Sequence, residues 1–252
     1  MSAAATRAEI AATACGDLFL GAGAILASPT GIIPSIGARL ARLTHNPALL
    51  LSDGAATLYA DTPPIGHPFE VREGSLPYRA LFELIASGRR HVIMGAAQLD
   101  RHGNQNLSAI GPHDRPTRQL LGARAAAANT INHPTSYFVA RHQPRVFVDR
   151  VDTVTGIGSD RARALGPAAR FHDIRAIITD LAVLDLSGPG GTLALRTVHP
   201  GVEVAAVVEA TGCALHVPAV TPETRAPDAH ELTLIRERID PDRHREREIP
   251  EP

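Results

Sequence analysis

The apolar positions along the chain follow two periods. Residues 6–20 carry Ile10, Ala14, Leu18 and Phe19 at helical spacing in an Ala-rich background, which predicts a capped helix. A Gly-rich stretch, 21–31, encloses a short apolar run. Residues 35–45 predict a second helix, with Ile36, Leu40 and Leu43 inward, Arg39 and Arg42 outward, and Ser35 able to cap. The run 48–52 then ends in Ser52-Asp53-Gly54, the pattern of a buried strand closed by a turn. This alternation implies β-α-β units and a parallel sheet. The Pro- and Gly-rich residues 61–77 predict a surface excursion, 78–90 an amphipathic helix stopping near Gly88, and 91–100 one strand followed by a turn at 103–106. Residues 122–137 point both ways: the Ala run favours helix, while the Asn residues and the His133-Pro134 step favour a loop.

Strand character dominates the second half. Residues 145–156, 175–187 and 192–201 predict strands, 202–212 a helix and 213–218 a further strand. No tandem repeat is present. The expected organisation is a single α/β domain over residues 1–240, with a charged, Pro-capped peripheral tail over 241–252.

Composition narrows the function. At 252 residues, 44% hydrophobic and 20% charged, the chain is long enough for a core of its own. A formal net charge of -1 argues against a nucleic-acid partner. No apolar run approaches the ~18–20 residues of a membrane helix. The N-terminal stretch, with Glu9 and Asp17, lacks the basic head and apolar core of a signal peptide, so a cytoplasmic location is expected. Cys15 and Cys213 stand far apart with no CxxC, against a disulfide scaffold or a Cys-ligated zinc site. All 25 basic residues are Arg. That excludes Schiff-base, P-loop and kinase-type lysine chemistry. An Arg- and Ala-rich composition otherwise reflects GC-rich codons.

Several chemical signals fail on inspection. Gly21-Ala22-Gly23 begins a dinucleotide fingerprint, but Leu26 stands at its third glycine and no strand precedes it. The 12 His residues show no metal spacing, so no metal is expected. Ser28, Ser52 and Ser108 lie outside any nucleophile elbow. Two signals remain. Asp53 follows a buried strand, where open α/β sheets bind ligands; taken alone, the Asp of an Asp-Gly turn is the better reading. Residues 95–106, GAAQLDRHGNQN, gather Gln98, Asp100, Asn104, Gln105 and Asn106 behind a strand, and amides so placed can hold a thioester carbonyl or an enolate oxygen. The bland reading is a loop satisfying its own backbone.

Taken in order, GAAQLDRHGNQN (95–106), RVFVDRVDTVTGIG (145–158), RAIITDLAVLDL (175–186) and HPGVEVAAVVEATG (199–212) resemble the β subunits of class I coenzyme A transferases, from about Thr6 to Asp240. Within that family, residues 27–54, 88–124 and 129–140 resemble the actinobacterial branch that cleaves a cholesterol-derived ring. The resemblance implies an open, mostly parallel, Rossmann-like α/β sheet flanked by helices. It also implies an αβ or α2β2 assembly with a CoA-transferase-like α subunit, an acyl-CoA thioester substrate and no tightly bound cofactor. The transferases carry a nucleophilic Glu in a Ser-Glu-Asn-Gly stretch; the matching position here is Asp53, one methylene shorter, in Ser52-Asp53-Gly54-Ala55. The Gly-rich loop of the transferase site reads Gly122-Ala123-Arg124-Ala125-Ala126 here. Both departures favour hydrolytic, retro-Claisen ring opening of a steroid-derived acyl-CoA over CoA transfer, while the missing family nucleophile leaves a non-catalytic scaffold role as a further alternative. The principal catalytic Glu would then belong to the α partner. On this chain the resemblance points to Asp53, Gln98, Asn104 and Asn106 as catalytic-site residues, and to Arg124, Asn129 and Asn132 as substrate-binding residues.

Overall fold

The computed structural model describes residues 4–54 and 57–251. In chain order the elements are α1 (Arg7–Asp17), β1 (Leu26–Pro29), α2 (Ile32–Leu43), β2 (Leu51–Ser52), β3 (Thr57–Tyr59), β4 (Arg72–Ser75), α3 (Tyr78–Ala86) and β5 (Arg90–Met94). There follow β6 (Gln98–Asp100), β7 (Gln105–Asn106), β8 (Ala109–Ile110), β9 (Arg118–Gln119), α4 (Ala126–Asn132), β10 (Pro134–Val139), β11 (Phe147–Val148) and α5 (Ser159–Leu165). The chain closes with β12 (Asp173–Thr179), β13 (Ala182–Gly188), β14 (Thr192–Val198), α6 (Val204–Ala210), α7 (Ala229–Thr233) and a π-helical turn, Leu234–Ile239. Two compact units result: Gly95–Glu223 forms one, and the segments on either side of it form the other.

In the flanking unit, the capped helix expected over residues 6–20 forms as α1 and starts with a capping box. Thr6 Oγ1 accepts from Glu9 N at 3.2 Å, and Glu9 Oε2 accepts from Thr6 N at 2.9 Å. The small residues of α1 let α2 cross it closely. A Cβ on Gly37 would stand 2.6 Å from the Ala12 carbonyl oxygen and from Cys15 Cβ, so only Gly fits there. α2 begins three residues earlier than its periodicity suggests, and Ser35 is not its cap. The Glu248 carboxylate takes that role from the far end of the chain, accepting from Ile32 N (2.9 Å) and Ile33 N (2.8 Å). Residues 241–251 are tied down as well: Arg245 and Ile249 are buried, and Arg245 donates to Asp240 Oδ2 at 3.0 Å. β1 and β5 pair in parallel, and Leu50 joins β1 through a parallel bridge, which realises the expected β-α-β crossover. Beyond Leu50 the same strand turns into an antiparallel sheet of β2, β3 and β4, so part of the expected excursion is ordered strand.

In the central unit, β10 and β12 are parallel, whereas β12, β13 and β14 form an antiparallel meander. The run 175–187 is therefore two strands, because Asp180 and Leu181 turn the chain back. Of the two signals in residues 122–137 the helical one prevails: α4 takes in Asn129 and Asn132 and leads directly into β10, which starts at Pro134, so the Asn residues and the His133-Pro134 step make no loop. The alternation of 145–156 yields only β11; the rest is loop whose polar residues serve other elements. Residues 213–218 make a single bridge, His216 to Ala194, rather than a strand. The run 91–100 is broken at Gly95: β5 pairs with β1, and β6 pairs with β7 and β11.

Candidate functional site

The central unit builds its polar cluster on the β6–β7 hairpin. β6 pairs antiparallel with β7 (Gln98 opposite Asn106, Leu99 opposite Gln105) and parallel with β11. Leu99 and Phe147 are fully buried and anchor these strands. The tip turns at Gly103, φ 75°. The Asp100 carboxylate shapes this turn: Oδ1 accepts from His102 N (2.9 Å) and Asn104 N (3.1 Å).

Asn104 is buried and fully bonded. Its Nδ2 donates to Asp100 Oδ2 at 3.0 Å and to Asp160 Oδ1 at 2.9 Å, and its Oδ1 accepts from Gly158 N at 2.8 Å. Both amide hydrogens are thus taken by carboxylates. Burial pushes the Asp160 carboxyl up, but the Asn104 amide, the Arg161 N–H and the nearby His102 and Arg161 charges outweigh it and hold Asp160 below the ordinary range. Gly158 must be Gly, since a Cβ there would fall 2.1 Å from the His102 carbonyl oxygen.

Gln98 and Asn106 form a second knot. Asn106 Nδ2 donates to Gln98 Oε1 (2.8 Å) and to the Ala109 carbonyl (2.7 Å), while its Oδ1 accepts from Ser108 N (2.9 Å). Gln98 Oε1 also accepts from Asp152 N at 3.0 Å, and Gln98 Nε2 donates to Asp152 Oδ2 at 3.1 Å. Of the three predicted amides, only Gln98 keeps an N–H hydrogen without a partner among the described residues. Thr155 closes the knot: its Oγ1 accepts from Leu107 N at 2.9 Å and lies 2.8 Å from Ser108 Oγ.

The loop to Arg124 is fastened to the same hairpin, with Leu120 N donating to Ser108 O (3.0 Å) and Gly122 N to Leu107 O (2.9 Å). Gly122 has φ 89°, and Arg124 takes φ 45°, a left-handed conformation uncommon for a residue with a side chain. Arg124 is exposed, and its guanidinium has no partner among the described residues. Asn129 and Asn132 lie on α4, where Asn129 Oδ1 is 3.1 Å from His133 Nε2 and Asn132 Nδ2 donates to Ala128 O at 2.9 Å. The structure thus gathers Gln98, Asn104 and Asn106 on one hairpin and fastens the Arg124 loop beside it. Asp53 belongs to the other unit. It is exposed at the end of β2, where its N–H donates to Thr57 O (3.1 Å) and its Oδ1 accepts from Thr57 N (3.0 Å). Gly54, φ 77°, completes the Asp-Gly turn. The following Ala55 lies outside the described residues.

Sequence reasoning passed over Asp152, Thr155 and Asp160. Each serves the hairpin from about 50 positions away, and Asp152 and Thr155 were hidden within a stretch that reads as alternating strand. Among the described residues, no group of three or more His, Cys, Asp or Glu could hold a metal ion. No helix among them is long and apolar enough to cross a membrane.

Comparison with known proteins matches residues 18–210 to the family model described as Coenzyme A transferase. The chain is 51% identical to the cholesterol ring-cleaving hydrolase IpdB subunit of Rhodococcus jostii RHA1, over 97% of this chain and 96% of that one. It is 30% identical to a 3-oxoadipate CoA-transferase subunit of Pseudomonas knackmussii, over 81% and 82% of the two chains. Among solved structures, R. jostii RHA1 IpdAB superposes with a TM-score of 0.93, covering 97% of this chain and 98% of that chain at 51% identity. The glutaconate coenzyme A-transferase of Acidaminococcus fermentans, with a TM-score of 0.80 over 95% and 96% of the chains at 23% identity, shares the fold. Family model, relatives and architecture agree: the chain belongs to the coenzyme A transferase family.

Proposed function

We propose that this chain is the β subunit of a ring-opening hydrolase that acts on a steroid-derived cyclic acyl-CoA, in an αβ or α2β2 assembly with a CoA-transferase-like α subunit. The observation that carries this reading is 51% identity to a cholesterol ring-cleaving hydrolase subunit across 97% of the chain. The residue at position 53 supports it. Asp stands where the transferases place their nucleophilic Glu, and a nucleophile displaced by about 1 Å loses on the order of 10²-fold in rate.

The chemistry is a hydrolytic carbon–carbon cleavage. A carboxylate base of the α subunit takes a proton from water, and the water oxygen bonds to a ring ketone carbon. The tetrahedral oxyanion collapses to a carboxylic acid and breaks the ring bond, whose electron pair passes into the thioester as an enolate. Protonation at carbon completes the addition of one water. Coenzyme A enters as part of the substrate, with no tightly bound cofactor. The enzyme works in the cytoplasm, with neither nucleic acid nor membrane as partner.

On this chain the Gln98 N–H donates to the enolate oxygen. Asn106 and Asn104 hold the hairpin that presents it. Arg124 clamps a substrate carboxylate through its guanidinium fork, Asn129 and Asn132 line the binding side from α4, and Asp53 is a polar wall that positions water. Kinetics of Arg124→Ala in the purified pair test the clamp. A rise in KM of about tenfold, with kcat held within a few-fold, is expected for loss of a charged hydrogen bond. An unchanged KM would remove the role.

A further inference from the structure

Gln98 is held by one residue at both ends of its amide. The Asp152 backbone N–H donates to Oε1 at 3.0 Å, and the Asp152 carboxylate Oδ2 accepts from Nε2 at 3.1 Å. Asn106 Nδ2 adds a second donor to Oε1 at 2.8 Å. Turning the amide over would set its NH2 against two N–H donors and its oxygen against a carboxylate, so only one orientation is stable. Gly111 N also donates to Asp152 Oδ2, at 2.9 Å, which fixes the carboxylate in turn. The arrangement leaves one Gln98 N–H hydrogen unspent.

From this geometry we infer that Asp152 is the positioning residue for Gln98, setting the amide so that its remaining N–H faces the oxygen that becomes anionic. The inference rests on the proposed role of Gln98 and deepens it. Asp152 acts through geometry and not through charge, because a negative charge near a developing oxyanion opposes it. A neutral acceptor therefore serves as well. Two N–H donors converge on Oδ2, so an Asn at position 152 would turn its carbonyl oxygen toward them and keep the clamp.

The test is a double-mutant cycle on the purified αβ pair, with Asp152→Ala, Asp152→Asn, Gln98→Ala and the double variant Asp152→Ala/Gln98→Ala. Steady-state kinetics and melting temperature are measured for each. Asp152→Ala is expected to lower kcat by about tenfold with KM within about threefold, part of the ~10²-fold that loss of an oxyanion donor costs. In the Gln98→Ala background it is expected to add nothing, and Asp152→Asn is expected to stay within about threefold of wild type. A full loss in both backgrounds would overturn the inference, as would a loss in Asp152→Asn at unchanged melting temperature. If Asp152→Ala fails to fold, Asp152→Glu takes its place: its carboxylate, one methylene further out, displaces the Gln98 amide and is expected to lower kcat by about tenfold, and a kcat within about threefold of wild type would overturn the inference. The cycle is read on ring opening or on CoA exchange, whichever the wild-type pair catalyses. Exchange without ring opening overturns the hydrolase reading while the cycle still tests Asp152. A wild-type pair inactive in both removes the role of Gln98 and this inference with it.

Discussion

Three amides that look alike in the sequence differ in what they have left to give. Asn104 spends both hydrogens on Asp100 and Asp160, Asn106 spends both on Gln98 and Ala109, and Gln98 alone retains one. Gln98→Ala should therefore lower kcat by about 10²-fold, and it should also cost about 1–3 kcal/mol of stability because it strands the Asp152 N–H and an Asn106 N–H. Asn104→Ala should act on stability alone, at about 1–3 kcal/mol, because it strands two carboxylates and the Gly158 N–H; kcat of the folded pair, within a few-fold of wild type for Asn104→Ala, separates the two. That amides gather at residues 98–106 was legible in the chain. Which of them is free was not, since the answer depends on Asp152, Gly158 and Asp160, about 50 positions away. His142 supplies a pH prediction. It lies buried between Thr179 Oγ1 (3.1 Å) and Thr211 Oγ1 (2.9 Å), and burial lowers its pKa to about 4. Between that value and the ~6.5 of a free His, the unfolded chain binds the extra proton and the native state does not, so stability falls as pH falls through this window. The slope of melting temperature against pH between 4 and 6.5 should flatten in His142→Phe. An unchanged slope would assign the dependence to other groups.

Among the elements, those ruled by local signals were readable and those ruled by distant partners were not. The capping box of α1 is written into Thr6 and Glu9, and the α1 helix forms where it is expected. The start of α2 is not local: the chain turns helical at Ile32 because Glu248, more than 200 positions away, receives its first N–H groups. Glu248→Ala should destabilise by about 1 kcal/mol, or roughly 2–4 °C in a chain of this size, by calorimetry. The run 91–100 reads as one strand because its hydrophobicity is continuous, yet Gly95 divides it between two ladders. Close approach makes a sharper forecast. A Cβ at Gly158 would collide with the His102 carbonyl, whereas one at Gly95 meets nothing within 4 Å. Gly158→Ala should cost about 1–3 kcal/mol or more and Gly95→Ala close to nothing. Equal costs would contradict the packing described for the hairpin.

At the scale of the molecule, the α/β class followed from the alternation of periods, and the antiparallel meander β12–β14 did not, because a turn of two residues inside an apolar run leaves little mark. The family followed from several motifs in order, and function turns on where this chain departs from its transferase relatives. Asp53 and the Arg124 loop are those departures, and both belong to a chain that the proposal has opening a ring without moving CoA. The direct measurement is mass spectrometry of the co-purified αβ pair in ¹⁸O-water, supplied with the steroid-derived cyclic acyl-CoA and, in parallel, with an acyl-CoA and a free carboxylic acid. One ¹⁸O in the new carboxylate of a ring-opened product, with no CoA exchange, is the predicted result. CoA exchange without ring opening, with a hydroxylamine-sensitive adduct on Asp53, would contradict the account and restore Asp53 as a nucleophile.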